Sequence, residues 1–288
     1  MANLSDLLRA ELTAVKQQFI HVLALNRCGY AAQADRVYEV DVVDFPNAMQ
    51  IIDHLIASGR APRLPLEMPQ PGYPMTGLLQ AELRIEARLR DLLAAANPGD
   101  TAAQRLIERA VAPRPAYQAW LSGMLANNPD VPVARGNPAV DPLFACLIAV
   151  LEHLMIRAFA EWHSGNEAEA DRAWACSGVA MVQATDLVNA LTDLGAAPLA
   201  SGNLPTDLPA WVGDIAVEGD LIAAYARAAQ AAAQQAEPPL QEICRKIADY
   251  TRSLEAWRPD APHPAMAACA PSFRSFAATF RKFVRPAP

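Results

Sequence analysis

Basic charge is scarce in this chain of 288 residues: 24 Lys and Arg stand against 31 Asp and Glu, for a formal charge of −7. Phosphate binding needs a basic surface, so nucleic acid is excluded as a main partner. Glycine and tyrosine are also few, at 13 and 6, and the apolar 52% is rich in Ala and Leu rather than β-branched residues. That leaves little material for a sheet and points to an all-α fold. The five cysteines, Cys28, Cys146, Cys176, Cys244 and Cys269, are odd in number and share no CxxC spacing. They exclude a disulfide framework and read as reduced thiols of a cytoplasmic protein. MANLSDLLRAEL lacks the cationic run and apolar core of a signal peptide. The longest apolar run, Leu143 to Leu151, stops at Glu152 and His153, so no transmembrane segment is expected. A Gly-rich phosphate loop, a Gly-x-Ser-x-Gly elbow and a Cys/His nucleophile pair are all missing.

What the chain does have is a repeat. Residues 31–62 align without a gap on residues 167–198, and Ala32, Ala34, Asp35, Arg36, Val43, Ala48, Leu55, Gly59, Ala61 and Pro62 recur unchanged. A duplication of this length predicts two similar units. Apolar spacing predicts helices over 4–28, 31–58, 76–96 and 101–126, the last interrupted by Pro113 and Pro115. The second half repeats the plan over 143–164, 167–194, 218–236 and 238–257. In each half a tight turn joins the first two helices and the last two, while a Pro-containing connection separates the pairs. Short loops force antiparallel neighbours and a long one permits a crossover, so the pattern predicts two tandem four-helix bundles of the ferritin-like kind. The domains are then 1–126, a linker at 127–142, 143–257, and a Pro-rich tail at 258–288.

The first 96 residues resemble bacterioferritin and its relatives in the ferritin-like superfamily. ELTAVKQQFIHVLALNRCG, from Glu11 to Gly29, is similar to the first-helix motif of that family. IIDHLIASGRAP resembles the end of its second helix, and LLQAELRIEARLRDLL its third. The resemblance implies two metal ions held in the bundle core by one Glu from each of two helices and a Glu-x-x-His pair from each of the other two.

Glu11 and Glu82 match the two single-Glu positions. The second-helix motif reads Asp44-Phe45-Pro46-Asn47, and the fourth-helix stretch reads Arg114-Pro115-Ala116-Tyr117. The first bundle therefore keeps the carboxylates Glu11, Asp44 and Glu82 and neither imidazole, with Asn47, Tyr117, Arg114 and Glu86 as candidate pocket lining. In the second bundle Glu152 is matched to Glu11, Ala180 and Gln183 take the second-helix positions, and Tyr225 falls near the third-helix Glu. The expected cofactor content is none, or at most one weakly bound divalent metal in the first bundle, since an imidazole-free carboxylate set suits hard cations. Two functions follow: a binding or accessory protein with a largely lost di-iron site, or an iron- or manganese-dependent oxidoreductase using the first bundle only.

Pro46 lies inside a helical pattern and removes one backbone hydrogen bond, which either opens a pocket or is a tolerated bend. The last segment, PSFRSFAATFRKFVRPAP, sets Phe273, Phe276, Phe280 and Phe283 on one stripe of a predicted helix over 272–285, with Arg274, Arg281, Lys282 and Arg285 opposite. That stripe either docks on a protein partner or an anionic membrane surface, or packs back on its own bundles. The two halves could pair internally, giving a monomeric pseudo-dimer, or the chain could form a homodimer.

Overall fold

The structure is a computed structural model that describes residues 4–60, 64–73, 75–96, 101–128, 136–199, 205–257, 261 and 263–268. The expected helix over 272–285, with its four Phe, lies outside the described residues. The protein is all-α. Its helices are α1 (Leu4–Arg27), α2 (Ala31–Ala57), α3 (Met75–Ala95), α4 (Thr101–Val111), α5 (Arg114–Ala126), α6 (Asp141–Ser164), α7 (Glu167–Asp193), α8 (Glu218–Gln235), α9 (Pro238–Glu255) and the single turn α10 (Pro264–Ala268).

The repeated glycines end the helices. Gly29 and Gly165 sit at φ +83° and +82°, and Gly59 and Gly195 at +73° and +67°, a backbone region that costs other residues free energy. After α1 the Tyr30 N–H donates to the Leu25 carbonyl and the Gly29 N–H to that of Asn26; after α6 the Asn166 N–H donates to Glu161 and the Gly165 N–H to Trp162. These paired bonds satisfy the carbonyls that a helix end leaves open. Pro113 has no N–H to continue α4, so the stretch 101–126 breaks into α4 and α5, with Pro115 near the start of α5.

The chain divides into two compact units, neither of them one continuous stretch. The first comprises Met1–Leu55, Glu67–Asp141 and Val188–Asn203; the second comprises Ile56–Leu66, Pro142–Leu187 and Leu204–Pro288. The exchanged segments are the end of the repeated helix and the connection after it, at the same place in both halves.

In the first unit, Leu25, Ala34, Val37, Val40, Met75, Leu78, Leu79, Tyr117 and Leu121 form one buried core, to which α1, α2, α3 and α5 all contribute. Each aliphatic side chain fully buried there stabilises by about 1.5–3 kcal/mol. In the second unit the stretch of α6 from Leu143 to Val150 is apolar on all sides, and each of its residues is buried. By length and composition α6 is the one helix among the described residues apolar enough to cross a membrane, and 89% of that window is buried inside the structure. Ala224, Ala229 and Ala232 are buried on α8, and such small side chains let α9 approach closely.

A two-residue antiparallel ladder, β1 (Leu64–Pro65) with β2 (Trp211–Val212), departs from the purely helical expectation. It pairs the connections of the two halves within the second unit. Pro65 needs no ladder partner for a backbone N–H, which suits so short a strand.

Candidate functional site

Of the acidic residues singled out in the sequence, Glu11, Asp44 and Glu86 meet around one cation in the first unit, and Glu82 is paired apart from it. Arg114, at the start of α5, is 3% exposed, and Glu11, Asp44, Glu82 and Glu86 are fully buried. Helix spacing explains the convergence: Glu82 and Glu86 are four residues apart on α3 and share its inward face. The Arg114 Nη1 donates to Glu86 Oε1 at 2.7 Å. Its Nη2 donates to both Glu11 oxygens at 3.0 Å and to Asp44 Oδ1 at 3.1 Å. Gln18 Nε2 donates to the other Asp44 oxygen at 3.2 Å. Planar, multi-donor geometry of this kind is what a guanidinium offers and an ammonium does not.

One cation cannot neutralise three carboxylates. Burial pushes Glu11 up to about 8 and Glu86 up to about 7, against the pull of Arg114. Asp44 is raised for the same reason. Asp41, one turn before Asp44, is raised to about 7, first by burial and then by Asp44 and Glu82. Near neutral pH the cluster therefore keeps some protons and approaches electrical balance. Glu86 Oε2 is buried without a partner.

Glu82 belongs to a second network. Its Oε2 accepts from Tyr117 Oη at 2.9 Å, and its Oε1 lies 2.5 Å from His21 Nδ1 and 3.5 Å from Gln17 Nε2. The Gly72 N–H donates to His21 Nε2 at 3.1 Å. Since Nε2 accepts, the proton of a neutral His21 sits on Nδ1 and is donated to Glu82. Gly72 itself is obligatory: a Cβ there would run into the Gly77 carbonyl. Burial, reinforced by Glu82, holds the Tyr117 hydroxyl well above its ordinary pKa, so it remains a donor.

The second unit builds a similar relay with the ring nitrogens exchanged. The Gly213 N–H donates to His153 Nδ1 at 3.1 Å, and His153 Nε2 lies 3.3 Å from Glu218 Oε2. Burial works to raise Glu218, but His153 and Arg172 overcome it and hold that carboxyl at about 2. Spacing from Gly29 and Gly165 sets His153 level with Gln17 and Arg157 level with His21. The same spacing sets Glu152 level with Lys16, and Leu147 with Glu11, so the matching of Glu152 to Glu11 is corrected.

At Asp44's position in the second copy stands Ala180. It borders a cavity of about 150 Å³ with Cys176, Tyr225, Trp257 and His263. Cys176 Sγ lies 4.0 Å from His263 Nδ1, yet burial pushes that thiol up to about 12. It stays protonated and is no nucleophile.

Neither histidine relay is among the sequence expectations given above. The available signal was a glycine in each connection, and nothing in the spacing shows that its N–H would reach a ring. Asn47 and Pro46 line a separate groove on the first unit, and Arg114, Tyr117 and Glu86 do not.

Both oxygens of Glu11 and one each of Asp44 and Glu86 accept from Arg114, so an ion that bridges the three carboxylates must displace the guanidinium. That exchange removes a bidentate charged partner and strips a hydrated cation. Chemically the site is a neutralised salt cluster with no nucleophile and no open acid–base pair. No family model, no curated protein and no solved structure matches this chain, and the geometry of these residues alone carries the functional reading.

Proposed function

We propose that this is a ferritin-like protein of two tandem four-helix bundles, paired within one chain as a pseudo-dimer, whose di-iron site has been exchanged for an arginine. It acts as a binding or accessory protein and not as an oxidoreductase. The observation that carries the reading is Arg114, which donates to Glu11, Asp44 and Glu86 together. A fixed guanidinium does there what two metal cations do in the family, namely hold buried carboxylates together. It has no redox chemistry. A di-metal centre does not fit these residues, because its bridging oxygens are committed to the guanidinium and no imidazole joins them.

Metal analysis of protein purified without chelator, then reloaded with Fe(II) or Mn(II), tests this. We expect less than one ion per chain, weakly held. Two irons per chain with a bridged di-iron spectrum overturn the proposal and favour an oxidoreductase using Glu11, Asp44, Glu82 and Glu86.

The accessory role extends to Phe273, Phe276, Phe280 and Phe283, whose stripe, with Arg281 and Lys282 on the opposite face of the expected helix, suits a protein partner. Replacing Phe276 and Phe280 with Ser should leave the melting temperature unchanged and abolish capture of the partner in a pull-down. A lowered melting temperature means instead that the stripe packs on its own chain.

A further inference from the structure

The second unit encloses a space that its own side chains leave unfilled. The cavity of about 150 Å³ beside Ala180 is bordered from all four long helices of that unit, by Val150 of α6, Ala180 of α7, Ile222 of α8 and Tyr250 of α9 among others. Its floor is shut off from solvent: Val150, Leu154, Ala180 and Tyr225 are each at most 2% exposed. The repeat accounts for the space. In the first copy the aligned position is Asp44, and the Arg114 guanidinium packs against it. In the second copy Ala180 offers only a methyl group, and the arginines of α9, Arg245 and Arg252, are turned outward to Glu242 and Asp249. Folded cores hold few voids larger than a water, because a wall with nothing against it forfeits dispersion contacts.

The polar groups at the border are already committed within the protein. Tyr225 donates its hydroxyl to Gln183 Oε1, and Trp257 Nε1 donates to the Ala261 carbonyl at 2.9 Å. Arg172 donates to Glu169 at 2.5 Å and to Glu218 at 3.1 Å. Tyr250 and Arg172 hydrogen-bond the Cys176 thiol, and His263 Nδ1 accepts the Ala265 N–H at 3.2 Å. A water placed here needs partners that these bonds occupy. What an occupant meets instead is the aliphatic surface of Val150, Leu154 and Ile222 and the rings of Tyr225, Tyr250 and Trp257.

We propose that this cavity binds a neutral, apolar molecule the size of a single aromatic ring. The volume matches, since an apolar protein cavity of about 150 Å³ stays dry and takes benzene. Lining rings suit an aromatic guest, edge to face or offset. A ring carrying a carboxylate meets Glu218, and one carrying an ammonium meets Arg172; either gains a counter-charge only by breaking the Arg172–Glu218 pair. The rim reaches solvent, with the Arg172 and Glu218 side chains 19% and 20% exposed, so a guest has a way in. The site does not depend on the ferritin-like reading, so the metal analysis and the test below can fail separately.

The full chain labelled with ¹⁵N is titrated with toluene, and in parallel with benzoate and benzylamine. Toluene should bind saturably, at least about tenfold tighter than either charged ring, because an unanswered charge at the rim is costly. The shifts should fall on Val150, Cys176, Ala180 and Ile222. Ala180→Leu should fill the space, abolish toluene binding and leave the melting temperature unchanged or higher. Ile222→Phe, at a half-buried position of α8, fills the same space from another helix and should also abolish binding. The proposal is overturned if toluene does not saturate, if its shifts fall away from the cavity, or if benzoate or benzylamine binds as tightly. It is also overturned if either variant, once folded, keeps the parent's affinity for toluene.

Discussion

Arg114→Leu should lower the stability of the protein by about 3–5 kcal/mol at pH 8, the range found when one partner of a buried ion pair is removed. Leucine fills part of the space but answers none of the charge. Glu11, Asp44 and Glu86 lose their shared donor and must be buried as unpaired carboxylates or take up protons. Protons are available at low pH, so the same substitution should cost clearly less at pH 5 than at pH 8. Arg114→Lys should fall between, because an ammonium is a point donor that cannot span three carboxylates. Urea unfolding of the three proteins at both pH values measures all of this. An Arg114→Leu protein as stable as the parent at pH 8 means that the cation does not hold the cluster together.

Arg114 also marks where the sequence was informative. Standing three residues before Tyr117 in a stretch that should carry a Glu-x-x-His pair, it announced a cation among acids; the expected set was Glu11, Asp44 and Glu82, and the structure puts Glu86, expected only as pocket lining, on Arg114 in place of Glu82. Helix ends were legible too, because Gly29, Gly59, Gly165 and Gly195 have to adopt positive φ and the repeat marks them twice. Three features were not legible, and each depends on contacts distant along the chain. The Gly72–His21–Glu82 relay needs the connection after α2 to fold back on α1, which no periodicity encodes. The β1–β2 ladder pairs residues that share no pattern. Exchange of segments 56–66 and 188–203 between the compact units is invisible to a repeat alignment, which sees that two segments are alike and not which core each one joins. The error at Glu152 has a simpler origin. An acid in the middle of an amphipathic helix was matched by residue type, when the glycine ending the helix fixes the count.

Stability should be greatest on the acid side of neutrality and fall as pH rises through about 7 to 8. Glu11 and Glu86 are raised from an ordinary 4.5 to about 8 and about 7, first by burial, and Asp41 is raised to about 7 for the same first reason. Above pH 4.5 the unfolded chain releases these protons while the folded one keeps them. The stabilisation they provide is complete below the ordinary value and disappears as the folded groups ionise. Each retained proton then removes about 1.4 kcal/mol of stability per pH unit. Glu218 acts in the opposite sense. With its folded value held at about 2 by His153 and Arg172 in spite of burial, its contribution is present above 4.5 and is lost as pH falls toward 2. Three retained protons outweigh the one group that acts in the opposite sense, so the maximum lies near pH 4. Other charged groups facing the cluster bear on the slope: Arg114 opposes ionisation losses by favouring the carboxylates, and Glu82 beside His21 and Tyr117 adds to the repulsion. Melting temperatures measured from pH 4 to pH 9 should therefore decline, most steeply between about pH 5 and pH 7. In a Glu11→Gln, Glu86→Gln protein the alkaline decline should flatten, since an amide cannot ionise and two of the three retained protons are gone. A parent protein whose melting temperature is level or increasing between pH 5.5 and pH 8.5 would show that the carboxylates are already ionised in the folded state, and that the guanidinium of Arg114 outweighs their burial.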